Sequence, residues 1–534
     1  MSRPGQRALV GVLLLPSAVV LGPLAWRWIS PGGRQAVLAV AVNQPGLIVN
    51  TVVYGALTAL AATLLGWGLA HLQHVYAPPG RALLHNLTLA PLLMPSVTFA
   101  MALVLLFGHS GLAVRATGLP GGRVYGFTGL VAAGALSRLP IAYLALGHAY
   151  RGLDMRVLEA AADLGASNWR QLRSILLPRL GRTLVATVCL IMADTVADLA
   201  VPIVLAGDVG TLAARVVEAA SGEGDLTMAV AYAAWLLPMG LVLIPLANRF
   251  SSRPEAAGAT RRPFVRPLDG AGVFLLVVGW VTVGLVAMLL VTVLVGSFLT
   301  AVGVDARPTL SHFADIVAGS QTRALATTVL TSLLAVVFVM AGVAGLTAIV
   351  TLGGAPGARR ILETVASVPG IVWGLGAFVL VEANRRGVWE SASWTHLWGW
   401  GALGIILTVH MVRFVPQVSG SLLRTAEDAA PRVRETAVVL GAGRAEVARA
   451  LVVPTMRSQW LAAGLVVFAR TLTAISSVVL LTNAQVPLLS VRMLVDVEAG
   501  RLSSAAAMNV TLAVLVAGAL LAVRLLRPRS EMSR

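Results

Sequence analysis

The chain has 534 residues, of which 57% are hydrophobic and 12% are charged, and its mean hydropathy is +0.85. Soluble globular domains carry about 25% charged residues, so this composition argues against a soluble protein. The net charge of +17 comes entirely from arginine, and the absence of lysine excludes a P-loop nucleotide site, which needs one.

Apolar runs of about 20 residues, the length that crosses a bilayer core, recur along the chain. We predict an all-α polytopic membrane protein with about 12 spans, six in each half. In the first half they cover residues 8–29, 47–71, 86–108, 127–149, 183–206 and 227–249. In the second half they cover residues 272–298, 325–351, 361–382, 398–418, 460–482 and 504–526.

The placement of arginine predicts the orientation. Segments on one side of the predicted spans are rich in arginine, whereas the opposite loops mix fewer arginines with Asp and Glu. This asymmetry is typical of membrane proteins whose cytoplasmic loops are basic, and it places both termini inside. The basic segment 251–269 contains three prolines and predicts a cytoplasmic linker between a half at 1–250 and a half at 270–534.

One cytoplasmic segment in each half repeats the same spacing, between the fourth and fifth spans. Glu159, Gly165 and Pro178 in the first copy correspond to Glu435, Gly441 and Pro454 in the second, with a constant offset of 276 (435 − 159). Because both copies lie on one side of the membrane, the halves are predicted to be parallel repeats.

The local sequence favours a docking element in the first copy. Glu159 lies on a predicted short helix, Gly165 allows a tight turn, and a second helix begins near Ser167 and carries Trp169. Pro178 is predicted to end that helix or to start the next one. Such a helix-turn-helix can enter a groove on a partner.

These segments resemble the EAA loop of ABC importer permeases. The first copy has the full motif, and the second departs from it with Thr436 after its glutamate. The residues that carry the resemblance are Glu159, Ala160, Ala161, Gly165 and Pro178, then Glu435, Gly441 and Pro454. The resemblance implies the type I ABC importer fold in a fused chain, with EAA loops at 154–179 and 430–455.

The resemblance also implies the partners. The loops would dock a homodimeric ABC ATPase, and an extracytoplasmic solute-binding protein would deliver the solute. The chain would be a permease subunit of the inner membrane, with no enzymatic activity, cofactor or nucleic acid of its own, while the partner uses ATP.

The substrate rests on weaker motifs. Segments 197–207, 367–376 and 470–480 look like those of ferric iron permeases and their thiamine and phosphonate relatives. We expect ferric iron, with thiamine, 2-aminoethylphosphonate, other anions or polyamines as alternatives. A secondary transporter with 12 spans is the rival class, but it would not need paired coupling loops.

Ionisable residues within spans are candidates for the translocation path because their burial is costly. The offset of 276 places Asp194 and Arg470 at equivalent positions, and we hypothesise that they face each other as a gate or as a structural ion pair. Asp198 would touch a cationic solute or bond locally. Pro95 and Pro369 are predicted to interrupt spans three and nine, where freed carbonyls could line the path.

Three further residues have simpler interpretations. Arg138 and Arg413 are predicted to extend from their spans to the cytoplasmic interface, and His410 is predicted to be structural. No cluster of carboxylates and histidines predicts a metal site.

Overall fold

The structure is a computed structural model that describes residue 11 and residues 15–526, except 119–120, 123, 252–265, 354–357, 388–396 and 441–456. The helices before residue 252 are α1 Leu15–Ile29, α2 Pro31–Asn43, α3 Pro45–His71, α4 Arg81–Leu89, α5 Val97–Phe107, α6 Leu112–Thr117, α7 Phe127–Gly152, α8 Arg156–Asp163, α9 Asn168–Gln171, α10 Leu177–Val196, α11 Ala200–Leu205, α12 Leu212–Val217 and α13 Leu226–Phe250.

After residue 265 the chain is again almost entirely helical. One short antiparallel hairpin, β1 Leu299–Ala301 and β2 Asp305–Pro308, follows the first helix. The helices are α14 Gly270–Gly296, α15 Ser311–Ala318, α16 Thr322–Gly353, α17 Ala358–Ala366, α18 Gly370–Gly387, α19 Leu397–Leu440, α20 Arg457–Leu472, α21 Leu489–Glu498 and α22 Leu502–Leu526.

Nine helices in the described part of the chain are long and apolar enough to cross a membrane, or ten if one bent pair counts as a span. The all-α polytopic fold is confirmed, but several of the predicted 12 spans are not single straight helices. The pair α17 and α18 is bent by 81° around Pro369, and residues 90–96 separate α4 from α5 next to Pro95. Proline lacks the N–H that a continuous helix needs, so both breaks follow from the sequence.

Two other predicted spans were drawn too long. The span predicted at 183–206 ends at Val196, and the one predicted at 460–482 ends as a helix at Leu472. In the first, the Asp198 carboxylate accepts a hydrogen bond from the backbone N–H of Ala200 at 2.9 Å, so the chain starts a new short helix there. Hydropathy alone does not detect this change because the residues on both sides are apolar.

The first helix of each half packs on the opposite half. Helix α1 lies against α18, and α14 lies against α4 and α5. The contact of α1 is close, since a Cβ added at Gly376 would lie 2.7 Å from the carbonyl oxygen of Val20. The two halves are therefore interlocked, and each half buries part of its surface against the first helix of the other.

The same hydrogen bonds recur in both halves. The hydroxyl of Thr51 accepts from the N–H of Leu212 at 2.9 Å, and the hydroxyl of Thr328 accepts from the N–H of Leu489 at 2.7 Å. Both pairs are related by an offset of 277 (328 − 51 and 489 − 212), one more than the offset of 276 between the repeated loops. The repeat thus includes buried polar contacts. The change of offset from 277 to 276 means that the two halves differ by one residue in the length of chain between these contacts and the loops.

Small residues bring α3 and α7 into close contact. A Cβ at Gly66 would lie 2.5 Å from the Cβ of Ala142 and 2.8 Å from the backbone nitrogen of Tyr143. Helices in membranes associate through such close packing because lipid offers no hydrophobic gain. This pair forms one wall of the first half.

We predict that Gly66→Ala destabilises the folded chain. Overpacking of a tight contact costs about 1–3 kcal/mol, so the unfolding temperature in detergent should fall. Gly284→Ala is the matched control, because a Cβ at that position of α14 meets nothing within 4 Å. Equal unfolding temperatures for the two variants would contradict the close packing of α3 on α7.

Candidate functional site

A cavity of about 190 Å³ lies between the two halves and contains five charged side chains. The first half contributes Arg138, Asp194 and Asp198, and the second half contributes Arg413 and Arg470. Pro95 also lines this cavity, which we call the central cavity. The cavity therefore brings together Asp194, Asp198, Arg470 and Pro95, while Pro369 lies at the bend between α17 and α18.

Arg138 is the most buried of these charges and binds both carboxylates. Its Nε donates to Asp194 at 2.9 Å and its Nη2 donates to Asp198 at 3.0 Å. The Arg138 side chain is 4% exposed, whereas that of Asp194 is 41% exposed. The guanidinium thus forms an ion triad across α7, α10 and the turn that follows α10.

This geometry corrects the interpretation of Arg138. The residue lies in the middle of α7, 14 positions before Gly152, which is about 20 Å along the helix axis at 1.5 Å per residue. An arginine side chain cannot reach the cytoplasmic interface over that distance. The repeat offset relates Asp194 to Arg470 and so does not reveal this pairing, although a mid-span arginine itself signals a buried acidic partner.

The second half supplies two arginines to the cavity, and neither has an acidic partner among the residues that the structure describes. Arg413 donates from Nη1 to the hydroxyl of Ser477 at 2.8 Å, and its guanidinium lies 5.2 Å from the ring centre of Phe414. A Cβ at Gly370 would lie 2.7 Å from that guanidinium, so glycine at the bend after Pro369 provides its space. Arg413 is therefore held at the central cavity and does not extend to the interface.

Asp194 and Arg470 share the cavity, but the ion pair that the structure describes for Asp194 is with Arg138. Arg470 is exposed and forms no ion pair within 4.0 Å with any described residue. Asp198 bonds locally, to Arg138 and to the N–H of Ala200, which is the second of the two alternatives for that residue. The role of Asp194 and Arg470 in a gate stays a hypothesis.

Metal binding has no support among the described side chains, since no group of three or more His, Cys, Asp or Glu residues there could hold an ion. His410 is buried, and its ring lies 5.6 Å from that of Phe414 in an edge-on contact.

The first of the two repeated loops, at 154–179, has a well-defined helix end. Gly165 adopts a φ of +78°, its N–H donates to Ala162, and the N–H of Ala166 donates to Ala161, both at 2.9 Å. These two bonds are a Schellman motif, which satisfies carbonyls at the end of α8 and favours glycine. Ser167 then caps α9 through the N–H of Arg170. The predicted helix-turn-helix is present here.

The next part of the loop differs in detail from the prediction. A π turn at Leu172–Leu176 connects α9 to α10, and Pro178 is the second residue of α10. Residues Asn168–Val196 thus form one continuous span, and Pro178 lies within it. A π turn is wider than an α-helical turn, and it directly precedes Pro178, so the helix continues past the proline.

The turn presents an exposed apolar surface. Leu164 is 88% exposed and Trp169 is 66% exposed, whereas Leu158 and Leu176 behind them are buried. Glu159, Ala160 and Pro178 are also exposed. A leucine and a tryptophan held in water at the tip of a rigid turn are typical of a binding surface.

The second copy cannot be compared in full. Glu435 lies in α19, which continues to Leu440, while Gly441 and Pro454 lie outside the described residues. In the first copy the helix ends at Gly152, whose equivalent at an offset of 276 is Asp428. The role predicted for Glu435, Gly441 and Pro454 stays a prediction.

A polar cluster that the sequence did not reveal ties the first loop to the second half. The guanidinium of Arg266 donates to the side-chain oxygens of Asn168 and Gln171, and Asn168 donates to Asp269. Arg266 also donates its backbone N–H to the Val75 carbonyl at 2.9 Å. The residues just before α14 therefore hold the start of α9.

Asp269 caps α14 and has a perturbed pKa. Its carboxylate accepts from the N–H of Gly272 at 2.7 Å, and this bond, with the Tyr76 hydroxyl and the Arg266 charge, holds the pKa of Asp269 below its usual range despite partial burial. A lowered pKa means that the carboxylate stabilises the folded state at neutral pH and loses that effect as the pH falls through its lowered value.

We predict that Arg138→Gln and Arg470→Gln differ sharply in stability. The first leaves two carboxylates without their cation, and breaking a buried pair costs about 3–5 kcal/mol. The second leaves no acid unpaired among the described residues. Thermal unfolding of both full-length variants in detergent measures the difference, and an equal loss of stability would refute the ion triad.

Comparisons with known proteins agree with this architecture. Residues 62–256, which include Arg138, both aspartates and the first loop, match the family of binding-protein-dependent transport system inner membrane components. A probable ABC transporter permease of Sinorhizobium fredii is 27% identical over 331 residues, which are 58% of this chain and 58% of that protein. The chain thus spans little more than half of that relative.

Two further relatives are shorter matches. The sulfate transport system permease of Escherichia coli is 27% identical over 258 residues, 45% of this chain and 88% of the relative. The thiamine transport system permease of Brucella suis is 25% identical over 189 residues, 34% of this chain and 35% of the relative. No solved structure matches the chain. Residues 62–256 therefore match the binding-protein-dependent transport system inner membrane component family, and the described part of the chain is a multi-pass, all-α membrane protein that is similar to ABC transporter permeases.

Proposed function

We propose that the chain is the fused permease of an ATP-driven, binding-protein-dependent importer. It would engage a separate ABC ATPase homodimer through the loops at 154–179 and 430–455. The observation that carries this proposal is the first loop, where a rigid Schellman turn at Gly165 holds Leu164 and Trp169 in solvent. Arg170 and Arg173 beside them are exposed and could contact an acidic rim on the partner.

The chain would supply geometry, and the ATPase would supply free energy. Closure of the ATPase dimer would move each loop, and the continuous helix from Asn168 to Val196 would carry that movement to the central cavity. Asp194 lies near the far end of this same helix. Only a partner that binds one state of the permease more tightly can shift its equilibrium.

The rival class, a secondary transporter, receives less support. It needs acids that gain and lose coupling protons or ions, yet both aspartates of the central cavity bind the guanidinium of Arg138. Both carboxylates are therefore already engaged by a cation of the protein itself.

Ferric iron was the expected solute, with thiamine and 2-aminoethylphosphonate as alternatives. The relatives' names include sulfate and thiamine permeases, and those names do not agree on the charge of a solute. The excess of arginine in the central cavity gives no support to passage of a bare trivalent cation.

We predict that Leu164→Asp abolishes docking of the ATPase. A central apolar anchor typically contributes at least 2 kcal/mol, or about 30-fold in affinity. Co-purification of the full chain with a co-expressed ABC ATPase of the same organism measures the effect. Leu310→Asp is the matched control, because Leu310 is 66% exposed on the opposite side of the predicted membrane. Retention of the ATPase by Leu164→Asp would remove the main support for the proposal.

We predict that Arg266→Ala loosens the first loop. Loss of a charged donor to Asn168 and Gln171 costs about 1.5–3 kcal/mol, enough for at least a tenfold faster local opening. Hydrogen exchange of residues 164–172 in the full chain measures this opening. Arg249→Ala, which removes another exposed arginine at the end of α13, should leave those amides unchanged. Unchanged exchange in Arg266→Ala would show that the cluster does not hold the loop.

A further inference from the structure

We propose that the central cavity binds a small anionic solute through Arg413 and Arg470. This inference rests on the proposed importer function and names the chemical class of its solute. The expected ligand group is an oxyanion such as sulfate or phosphate, whose oxygens match the planar fork of N–H donors on arginine.

The charge count of the cavity favours an anion. Three guanidinium groups and two carboxylates line it, which leaves one positive charge in excess. Both carboxylates are on the first half and share the single charge of Arg138, so the first half contributes one net negative charge. The second half contributes two positive charges, Arg413 on α19 and Arg470 on α20, so the excess of positive charge lies on that side.

The two arginines of the second half retain donors for a ligand. Arg413 gives one hydrogen bond to Ser477, a neutral acceptor, and forms no ion pair with a described residue. Gly370 keeps open the space around its guanidinium, which any side chain there would occupy. Arg470 is exposed towards the same cavity and likewise has no acidic partner among the described residues.

The surroundings strengthen this attraction. Ile141, Phe414 and Ile475 form apolar parts of the cavity wall, and charges interact more strongly where water is scarce. A cation would meet Arg413 and Arg470 on one side and carboxylates already engaged by Arg138 on the other. An oxyanion would instead give each free guanidinium an acceptor.

The test measures binding of radiolabelled sulfate and phosphate to the full chain in phosphatidylcholine nanodiscs without an ATPase. Wild type should bind at least one of these anions, and Arg413→Gln and Arg470→Gln should each weaken that binding by about tenfold or more, the loss of a charge-assisted hydrogen bond. Arg470→Lys, which keeps the charge, should bind better than Arg470→Gln. Arg307→Gln, on the exposed strand β2, should bind as wild type does.

Several outcomes would overturn the proposal. These are absence of anion binding in the wild type, equal binding in Arg470→Gln and wild type, or tighter binding of spermidine or thiamine than of either anion. Loss of sulfate binding when phosphatidylglycerol is added to the nanodiscs would assign the site to a lipid headgroup instead. Unfolding temperatures of all variants distinguish lost binding from lost folding.

The importer function is tested separately by co-purification of the ATPase. If the ATPase binds and neither anion does, only the solute class is refuted. If the ATPase does not bind, the importer function fails, whatever the nanodiscs show.

Discussion

The buried guanidinium of Arg138 is the constraint on which the central cavity depends. A charge in the middle of a membrane helix is costly unless it is paired, and Arg138 is paired twice, with Asp194 and Asp198. This requirement fixes how α7 faces α10 and where α10 must end. It also engages both acids of the first half, whereas Arg413 and Arg470 of the second half have no acidic partner among the described residues.

The interlocked packing of the halves places this cavity between them. Because α1 packs on the second half and α14 packs on the first, each half needs a helix of the other to cover part of its surface. The same arrangement brings Arg266, just before α14, onto the first repeated loop. The span that begins at Asn168 runs from that loop to Asp194 at the cavity, and the residues just before α14 hold its first turn.

The two halves share a duplicated framework but differ in the charges they place on it. Paired hydrogen bonds at Thr51 and Thr328 recur with an offset of 277, which shows that buried polar contacts follow the repeat. At the cavity the equivalent positions carry different charges, since Asp194 corresponds to Arg470 and Asp198 corresponds to Ala474. An asymmetric cavity inside a symmetric framework can provide a charged binding surface on one side only.

The sequence by itself determined the membrane class, the all-α fold, the repeated loops and the turn at Gly165, because hydropathy, glycine and proline act locally. It also located the helix breaks at Pro95 and Pro369. Only the tertiary structure decided that Asp194 binds Arg138, since the partners are 56 residues apart and their meeting depends on helix rotation. The same holds for Arg266 and Asn168, which are 98 residues apart and meet only once the halves interlock.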